Sequence, residues 1–500
     1  MASFRHGNYR THLPFLFKMS QTGRVTLVLG LDIGSTTTKA ALVDVTDAVT
    51  VVRVARRPTP TSVNELIETA AAVSRECLAA TGAPVAAVGI ASMAESGAAL
   101  DGEGRPLTTL LRWNRPVDRA HLATLLTAHP SLPVDTGVPP TTKPAAVTLI
   151  ALRDEDPEIH NSMRHWAGVA DLVAHALTGV RATDHTLAAR TMLAGRGDAW
   201  NTEIVENLGL REHMLPALRA PGERVGHTSA EATTFGLGPG TPVYVAGHDH
   251  TVGAWAAGAR GPGDAADSLG TSEAIVRITD AVDIARAVAE GYSVGSTVDG
   301  RGTTILGGSP ACGALLAEWD TEHPADHLTQ RLAALTPESW SASSMIVLPY
   351  PSGRQCPAPQ PHAWLQVFGT GDAEERTRGV LQSLVAHARW MRETADALAG
   401  SPTASLTLIG SLALHVPVWA PLAAASVPSA FRCTTGEPVA AGAALLAGVR
   451  EGIASPDASI LPRGTVRPLH TPDGDGDHRR FLAAVTSQLV TTHVTSQGEP

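Results

Sequence analysis

Residues 25–45 constrain the fold of this 500-residue chain more than any other segment. An apolar run ends at Asp32, a turn of Gly34 and small hydroxyl residues follows, and a second apolar run begins after Lys39. Two strands of this kind form a hairpin whose tight turn offers backbone N–H groups and hydroxyls to an anion. An aspartate just before such a turn is well placed to hold Mg²⁺ against a phosphate, usually through waters. Taken alone, the segment also fits an ordinary β-turn.

A related segment, DSLGTSEAIVRI, occurs far downstream at residues 267–278. Gly270, Thr271 and Ser272 again form a small, hydroxyl-bearing turn before an alternating strand. Shortly before it, a predicted strand ends at Gly247, and Asp249 follows where the chain turns. Two phosphate-type hairpins in one chain indicate a duplicated fold, with one hairpin in each domain and a nucleotide between them.

Several further motifs occur in a fixed order along the chain. They are LGLDIGSTTTKAAL at 29–42, LRWN at 111–114, TTK at 141–143, DPEI at 156–159, DLVAHALTG at 171–179 with TDHTLAAR at 183–190, VAGHDH at 245–250, SLGTSE at 268–273, LGGS at 306–309 with Trp319, LPYPSGRQCP at 348–357 and EPVAAGAALLAG at 437–448. With these motifs the chain resembles the FGGY carbohydrate kinases, which include kinases of xylulose, ribulose, gluconate and glycerol. The resemblance covers roughly residues 25–490. It implies an α/β protein with two actin-like (ribonuclease H-like) ATPase domains and a cleft between them.

The resemblance and the composition divide the chain into four parts. Residues 1–24 match nothing in the family and are expected to be a disordered extension, with translation starting at Met19. Residues 25–260 are expected to form the N-terminal domain with the sugar site and the catalytic base. Residues 261–455 are expected to form the nucleotide-binding domain, and residues 456–500 a C-terminal segment with a last helix and a tail.

Local patterns also predict individual elements. They are a helix after the capping box of Ser62 and Glu65, a buried strand at 84–92, a long amphipathic helix at 377–399 closed by Gly400, a strand at 406–410 and a last helix at 479–490. The alternation of strands and helices predicts largely parallel sheets with helices outside.

Composition narrows the functional class. The net charge of −10 argues against nucleic-acid and anionic-membrane partners. No apolar run approaches the roughly 18 residues that a membrane span needs. The four cysteines are widely spaced without a CxxC pair, which predicts free thiols in a reducing cytoplasm.

The resemblance assigns roles to the two turns and the two aspartates. The phosphates of ATP are expected at two sets of residues, Gly34, Ser35, Thr36 and Thr37 in the first turn and Gly270, Thr271 and Ser272 in the second. Asp32 would help to place Mg²⁺, and Asp249 would accept the proton of the attacking sugar hydroxyl. An unperturbed aspartate is a weak base that stays ionised at neutral pH. The alternative for Asp249 is a structural carboxylate at a turn.

The adenine site departs from the family pattern. Where the family has a Gly-Gly-Gly-Ala segment, residues 409–415 read IGSLALH. Gly410 and Ser411 are expected to line the nucleotide site, and the larger Leu412 to narrow the adenine slot. His248 and His250 flank Asp249, but no third zinc-ligand pattern stands out nearby. They are expected to lie at the surface or to support the site from behind, and the alternative is that one of them lines the sugar pocket.

The sugar pocket departs as well. In many family members a strand like VGIAS, residues 88–92 here, leads into a Gly-Gln-Met-His-Gly segment. The same positions in this chain, residues 93–97, read MAESG. Glu95 and Ser96 take the Met and His places, and Trp113 with Asn114 replaces part of a Trp-x-Asp pattern. A buried Glu95 needs hydrogen-bond donors, which a neutral polyhydroxylated substrate, or one with an amine, would supply. A sugar acid would be repelled unless Arg112 or Arg115 paired it. The alternative is that Glu95 is a solvated loop carboxylate.

The favoured function is therefore an ATP-dependent kinase of a neutral sugar or polyol, a ketose such as xylulose before others. The alternatives are a kinase of gluconate, glycerol or a cyclitol, and a nucleotide-binding regulator without catalysis on the same fold. An oxidoreductase is disfavoured because no GxGxxG opens a helix after a strand. The partners expected are a small-molecule sugar or polyol and ATP. The oligomeric state is left open, a homodimer included.

Overall fold

The computed structural model describes residues 25–79, 81–457, 459–471 and 473–496, with side chains as far as Gln488. The extension at residues 1–24, expected to be disordered, lies outside the described residues.

The described part of the chain contains nineteen strands. They are β1 Leu27–Ile33, β2 Thr37–Asp44, β3 Thr50–Pro58, β4 Val85–Ser92, β5 Gly97–Leu100, β6 His165–Gly168, β7 Ala182–Asp184, β8 Ala217–Arg219, β9 Gly226–His227, β10 Pro242–His248, β11 Asp264–Leu269, β12 Glu273–Thr279, β13 Ser293–Ser296, β14 Thr303–Ser309, β15 Ile346–Leu348, β16 Gln366–Phe368, β17 Ser405–Ile409, β18 Ser429–Cys433 and β19 Arg463–Thr465.

Seventeen α-helices occur in the same described residues. They are α1 Val63–Leu78, α2 Arg119–Ala128, α3 Leu132–Thr136, α4 Ala145–Glu155, α5 Pro157–Ser162, α6 Val169–Thr178, α7 His185–Ala188, α8 Thr202–Asn207, α9 Asp249–Ala256, α10 Ile284–Ala289, α11 Gly313–Glu322, α12 Leu328–Ala334, α13 Ala373–Ala399, α14 Ser411–His415, α15 Trp419–Ala424, α16 Pro438–Arg450 and α17 Gly474–Ser496.

The first large sheet has the strand order β3-β2-β1-β4-β10-β9. Strands β1 and β2 form the predicted antiparallel hairpin, in which Asp32 lies opposite Lys39. Strand β4 runs parallel to β1 on one side and to β10 on the other, so the three strands point the same way. Asp32 lies near the end of β1, and Asp249 directly follows β10. Because the carboxyl ends of parallel strands meet at one edge, the sheet brings these two aspartates to the same side.

The second large sheet has the order β13-β14-β12-β11-β17-β18-β19, and β11 with β12 forms the second predicted hairpin. The prediction of largely parallel sheets is wrong. In this sheet only β17 has parallel neighbours on both sides, β11 and β18, and in the first sheet only β4 does, with β1 and β10. Each sheet is mixed because its first strands are joined by short turns, which give antiparallel neighbours, whereas parallel neighbours need long crossovers.

Helix α16 packs directly on the first sheet although it lies far along the chain. A Cβ atom built on Gly30 of β1 would be 1.9 Å from the carbonyl oxygen of Ala440, and one on Gly89 of β4 would be 1.9 Å from that of Ala443. On its other side, a Cβ on Gly442 would be 2.7 Å from the Cβ of Ala256 in α9. The small residues of α16, β1 and β4 therefore allow the helix backbone to contact the sheet backbone directly.

Most single-element predictions hold. Ser62 caps α1 and accepts a hydrogen bond from the Glu65 N–H at 3.4 Å. Helix α13 ends at Gly400, whose φ of 67° is the left-handed conformation that glycine adopts readily. Helix α17 begins five residues before its predicted start at 479. The two large sheets occupy residues 27–248 and 264–465, while the four-part domain division stays a prediction.

All four cysteines are buried and unpaired, as predicted. Within the residues that the structure describes, no helix has both the length and the apolar character needed to cross a bilayer.

Candidate active site

A cavity of about 490 Å³ lies between the two large sheets. It brings together most of the residues that the sequence singled out. These are Asp32, Gly34, Ser35, Thr36, Thr37, Glu95, Trp113, Asp249, Gly270, Thr271, Ser272, Gly410 and Ser411. Two candidate residues for substrate binding, Ser96 and Asn114, are described by the structure but do not line this cavity.

The turn between β1 and β2 is held from outside by one threonine. The Gly34 N–H donates to the Thr37 carbonyl at 3.1 Å. Thr59 then donates its hydroxyl to the Gly34 carbonyl at 2.8 Å and its N–H to the Thr36 carbonyl at 3.0 Å. Because the carbonyls of the turn are satisfied from behind, its hydroxyls remain available to an anion in the cavity.

The turn between β11 and β12 is closed by a bond from the Gly270 N–H to the Ser272 carbonyl at 3.0 Å. The first turn of α11 is tied to it, since Gly313 and Ala314 donate their N–H groups to the carbonyls of Gly270 and Thr271 at 3.0 and 2.9 Å. A Cβ on Gly313 would be 2.7 Å from the Gly270 carbonyl oxygen, so only glycine fits this approach.

Asp32 is nearly fully buried at the base of the cavity, 3% exposed. Its Oδ2 lies 3.3 Å from Lys39 Nζ, which also lies 3.1 Å from Glu437 Oε2 at the start of α16. Burial raises the pKa of Asp32 to about 6; Lys39 opposes the shift, and the negative charge of Asp249 adds to it. Its Oδ1 is buried with no hydrogen-bond partner among the described residues.

These observations test the fit of a divalent cation. Two carboxylates, Asp32 and Asp249, face one cavity closely enough for one to raise the pKa of the other. A cation would relieve that repulsion and would give the unpartnered Oδ1 of Asp32 a ligand, and oxygen ligands are those that Mg²⁺ prefers. The donor set therefore fits Mg²⁺.

Asp249 is the first residue of α9, directly after β10. Its Oδ1 accepts the His250 N–H at 2.7 Å and lies 3.1 Å from His248 Nε2. Burial lowers the pKa of His248 well below its ordinary value, so this imidazole is neutral at pH 7 and lies beside the carboxylate without an opposing charge. Both contacts fall on Oδ1, which leaves Oδ2 for a group in the cavity.

The end of β10 is pinned by residues of the TDHT segment. Gly247 has a φ of 131°, and a Cβ there would be 2.5 Å from Thr186 Oγ1. The Thr186 hydroxyl accepts the His248 N–H at 2.9 Å and donates to Asp184 Oδ1 at 2.5 Å. The motif was recognised in the sequence, but the role of Thr186 in positioning Asp249 was missed because it depends on a contact across 62 residues.

Glu95 faces the cavity and is paired. Its φ of 60° is unusual for a residue other than glycine, and its side chain is 8% exposed. Oε1 accepts two hydrogen bonds from Arg190, from Nε at 2.9 Å and from Nη2 at 2.5 Å. The expectation that a substrate must supply these donors is therefore wrong. Arg112, one of the suggested partners of a sugar acid, instead donates to the carbonyls of Thr59 and Pro60.

Ser96 lies behind the cavity and positions Trp113. Its hydroxyl oxygen accepts the Trp113 N–H at 3.0 Å. The Trp113 ring lines the cavity, and Lys143 Nζ lies 4.9 Å from the ring centroid, a cation–π distance. Lys143 also donates to Gln355 Oε1 at 2.6 Å, and both residues line the cavity. Sequence reasoning gave neither Lys143 nor Gln355 a role, although both fall inside recognised motifs.

Gly410, between β17 and α14, has a φ of 98°, and a Cβ there would be 2.5 Å from the Leu269 carbonyl oxygen. Ser411 lines the cavity beside it. Leu412 packs against a hydrophobic cluster that includes Ala413 and Trp419, and it does not line the cavity. The expectation that Leu412 narrows the adenine slot is therefore not supported.

Comparison with known proteins agrees with this geometry. The family model of the FGGY family of carbohydrate kinases, N-terminal domain, matches residues 27–256. The match to this family model is therefore to the first half of the chain. The chain is also similar to the L-fuculokinase of Escherichia coli strain K12, with 27% identity over 177 residues, which are 34% of this chain and 37% of that protein. It is also similar to the xylulose kinase of Streptomyces rubiginosus, with 29% identity over 264 residues, 51% of this chain and 54% of that one. The matched segments thus span about half or less of these FGGY relatives.

Solved structures match over a larger share. A xyloylose kinase from Brucella ovis has a TM-score of 0.82 and 22% identity, covering 93% of this chain and 100% of that one. A gluconate kinase from Lactobacillus acidophilus has a TM-score of 0.80 and 18% identity, covering 93% and 97%. At these identities the likeness shows the fold, which is the two-domain actin-like fold that the sequence predicted.

Proposed function

We propose that this protein is an ATP-dependent kinase that transfers the γ-phosphate to a hydroxyl of a sugar or polyol. One observation carries the proposal. Asp249, with Oδ2 free of protein hydrogen bonds among the described residues, shares a single cavity with both glycine-hydroxyl turns and with Asp32. A base for the acceptor, donors for phosphates and a cation-binding carboxylate are the parts that phosphoryl transfer requires.

Each group of cavity residues has a different proposed role. The turn hydroxyls and N–H groups of residues 34–37 and 270–272 would bind the nucleotide phosphates, and Gly410 with Ser411 would border the adenosine. Asp249 would orient the acceptor hydroxyl and take its proton as the bond to phosphorus forms. Asp32 would hold Mg²⁺, which when bound offsets the negative charge of the phosphates. Closure of the two domains on sugar and ATP would keep water from the phosphate and thereby favour transfer over hydrolysis.

The class of acceptor depends on how Glu95 is paired in the cavity. The preference for a neutral ketose such as xylulose depended on an unpaired Glu95. Since Arg190 pairs that carboxylate, the argument against a sugar acid no longer holds. A cytoplasmic location is part of the same proposal, and a homodimer remains one of the open oligomeric states.

The test is a coupled ADP-release screen over ketopentoses, ketohexoses, polyols, aldonates and cyclitols with the full-length chain. We expect release that depends on one class of acceptor and stops when EDTA removes Mg²⁺. Tight ATP binding with no acceptor-dependent release would refute the kinase and favour a nucleotide-binding regulator.

A further inference from the structure

Two cationic side chains, Lys143 and Arg190, line the cavity with Glu95, which lies close enough to act on the charge of Lys143. Asp249 also lines the cavity, but the transfer reaction requires it at the reacting hydroxyl. The other lining carboxylates are Asp32 and Glu437, which contact Lys39, and Glu273, whose pKa burial raises well above its ordinary value. Lys143, Arg190 and Glu95 together therefore carry one cation in excess.

Lys143 is the cation without a carboxylate. Among the described residues no Asp or Glu oxygen lies within salt-bridge distance of its Nζ, whose hydrogen-bond acceptor is the neutral Gln355 amide. Burial lowers the pKa of Lys143, and the nearby charge of Glu95 only partly offsets this. A buried ammonium is costly unless an anion pairs with it, so an anionic group in the cavity would be bound favourably.

Arg190 contributes a second, incompletely used set of donors. Nε and Nη2 are taken by Glu95, whereas Nη1 is buried with no hydrogen-bond partner in the described part of the chain. Both Glu95 and Arg190 lie close enough to Lys143 to act on its charge. The three groups therefore form one electrostatic unit, which we call the Lys143–Arg190 subsite, beside the Trp113 ring.

We propose that the acceptor is a sugar acid, and that its carboxylate binds at the Lys143–Arg190 subsite while one of its hydroxyls faces Asp249. The proposal rests on the proposed kinase function and names its substrate class. The Trp113 ring supplies an apolar face for the carbon chain between the two ends. An uncharged sugar would leave Lys143 with only the Gln355 amide and the ring.

The experiment compares acceptors that differ only in charge. For a series of chain lengths, an aldonate is compared with its aldonamide and its alditol. Two quantities are measured for the full chain, kcat/KM by ADP release and Kd by calorimetry in the presence of ADP and Mg²⁺. We expect the best aldonate to be preferred over its aldonamide by about tenfold to a hundredfold, the range for a charge-assisted hydrogen bond.

Two substitutions at the subsite change this preference in opposite directions. Lys143→Met keeps the length of the side chain and removes its charge, so the preference for the aldonate falls about tenfold or more. Glu95→Gln removes the opposing carboxylate while keeping an oxygen for Arg190, so the preference increases. Arg115→Met is the matched control, because Arg115, suggested from the sequence as a partner of a sugar acid, does not line the cavity, and the preference stays as in the wild type.

Equal binding of aldonate and aldonamide by the wild type, or an equal effect of Lys143→Met on both, would overturn the subsite. The kinase proposal is tested by a different measurement, the release of ADP. Absence of ADP release with every acceptor would refute phosphoryl transfer, while the calorimetric preference for the aldonate would still decide whether the subsite binds a carboxylate.

Discussion

Replacement of Asp249 by asparagine tests the proton acceptor with little disturbance of the fold. The Oδ1 of Asp249 accepts the His250 N–H at 2.7 Å and lies 3.1 Å from His248 Nε2. The amide oxygen of asparagine can accept the same N–H, so the contact that orients the side chain is kept. The group that then faces the acceptor is an NH₂, which donates and cannot take a proton.

The expected loss follows from this change of one atom. A positioned general base contributes about 10²-fold to 10⁴-fold in rate. We therefore expect Asp249→Asn to lower kcat by at least about 10²-fold, which is about 2.7 kcal/mol of transition-state free energy. The KM for ATP and the melting temperature should change little, because the turns at residues 34–37 and 270–272 are untouched.

The assay is ADP release with the best acceptor, accompanied by ATP binding and thermal unfolding of the same preparations. Asp44→Asn is the control, because Asp44 ends β2, lies outside the cavity and accepts its own hydrogen bonds from Thr46. Turnover of Asp249→Asn near that of the wild type would refute the base. A large loss of stability would show instead that Asp249 is the structural turn carboxylate considered above.

Three further predictions concern the cation, the packing and the pH dependence. Asp32→Asn should raise the Mg²⁺ concentration for half-maximal turnover about tenfold or more, since it removes a charged ligand; an unchanged Mg²⁺ dependence would contradict the assignment. Gly89→Ala should lower the free energy of unfolding by about 1–3 kcal/mol or more, because its Cβ would overlap the backbone of α16, whereas Gly238→Ala, with open space around it, should not. Hydrogen bonds from Arg376 lower the pKa of Asp326 to about 2, so this pair stabilises the fold above about pH 4 and its contribution is lost as the pH falls towards 2. Asp326→Asn should therefore destabilise the protein in urea unfolding at pH 7 and about half as much at pH 3.

The sequence could predict the two hairpins because their determinants are local. A run of apolar residues, a turn of glycine and hydroxyl residues and a second run specify strand, turn and strand within about 20 residues. Asp32 and Asp249 were found for the same reason, since each is adjacent to the strand end that presents it. The order of motifs then gave the resemblance to the FGGY carbohydrate kinases and, with it, the two-domain fold.

Sheet direction and the partners of the cavity residues were decided by the tertiary structure. A pattern of strands and helices does not indicate which strands become neighbours. The sequence therefore predicted largely parallel sheets, whereas both large sheets contain antiparallel pairs. The partner of Glu95 lies 95 residues away, and that of Lys143 lies 212 residues away. Nothing in the sequence near Glu95 or Lys143 indicates which side chain will be brought within 3 Å. Only the folded chain places Arg190 against Glu95 and leaves Lys143 without a carboxylate, because charge pairing depends on distances that the packing of distant segments sets.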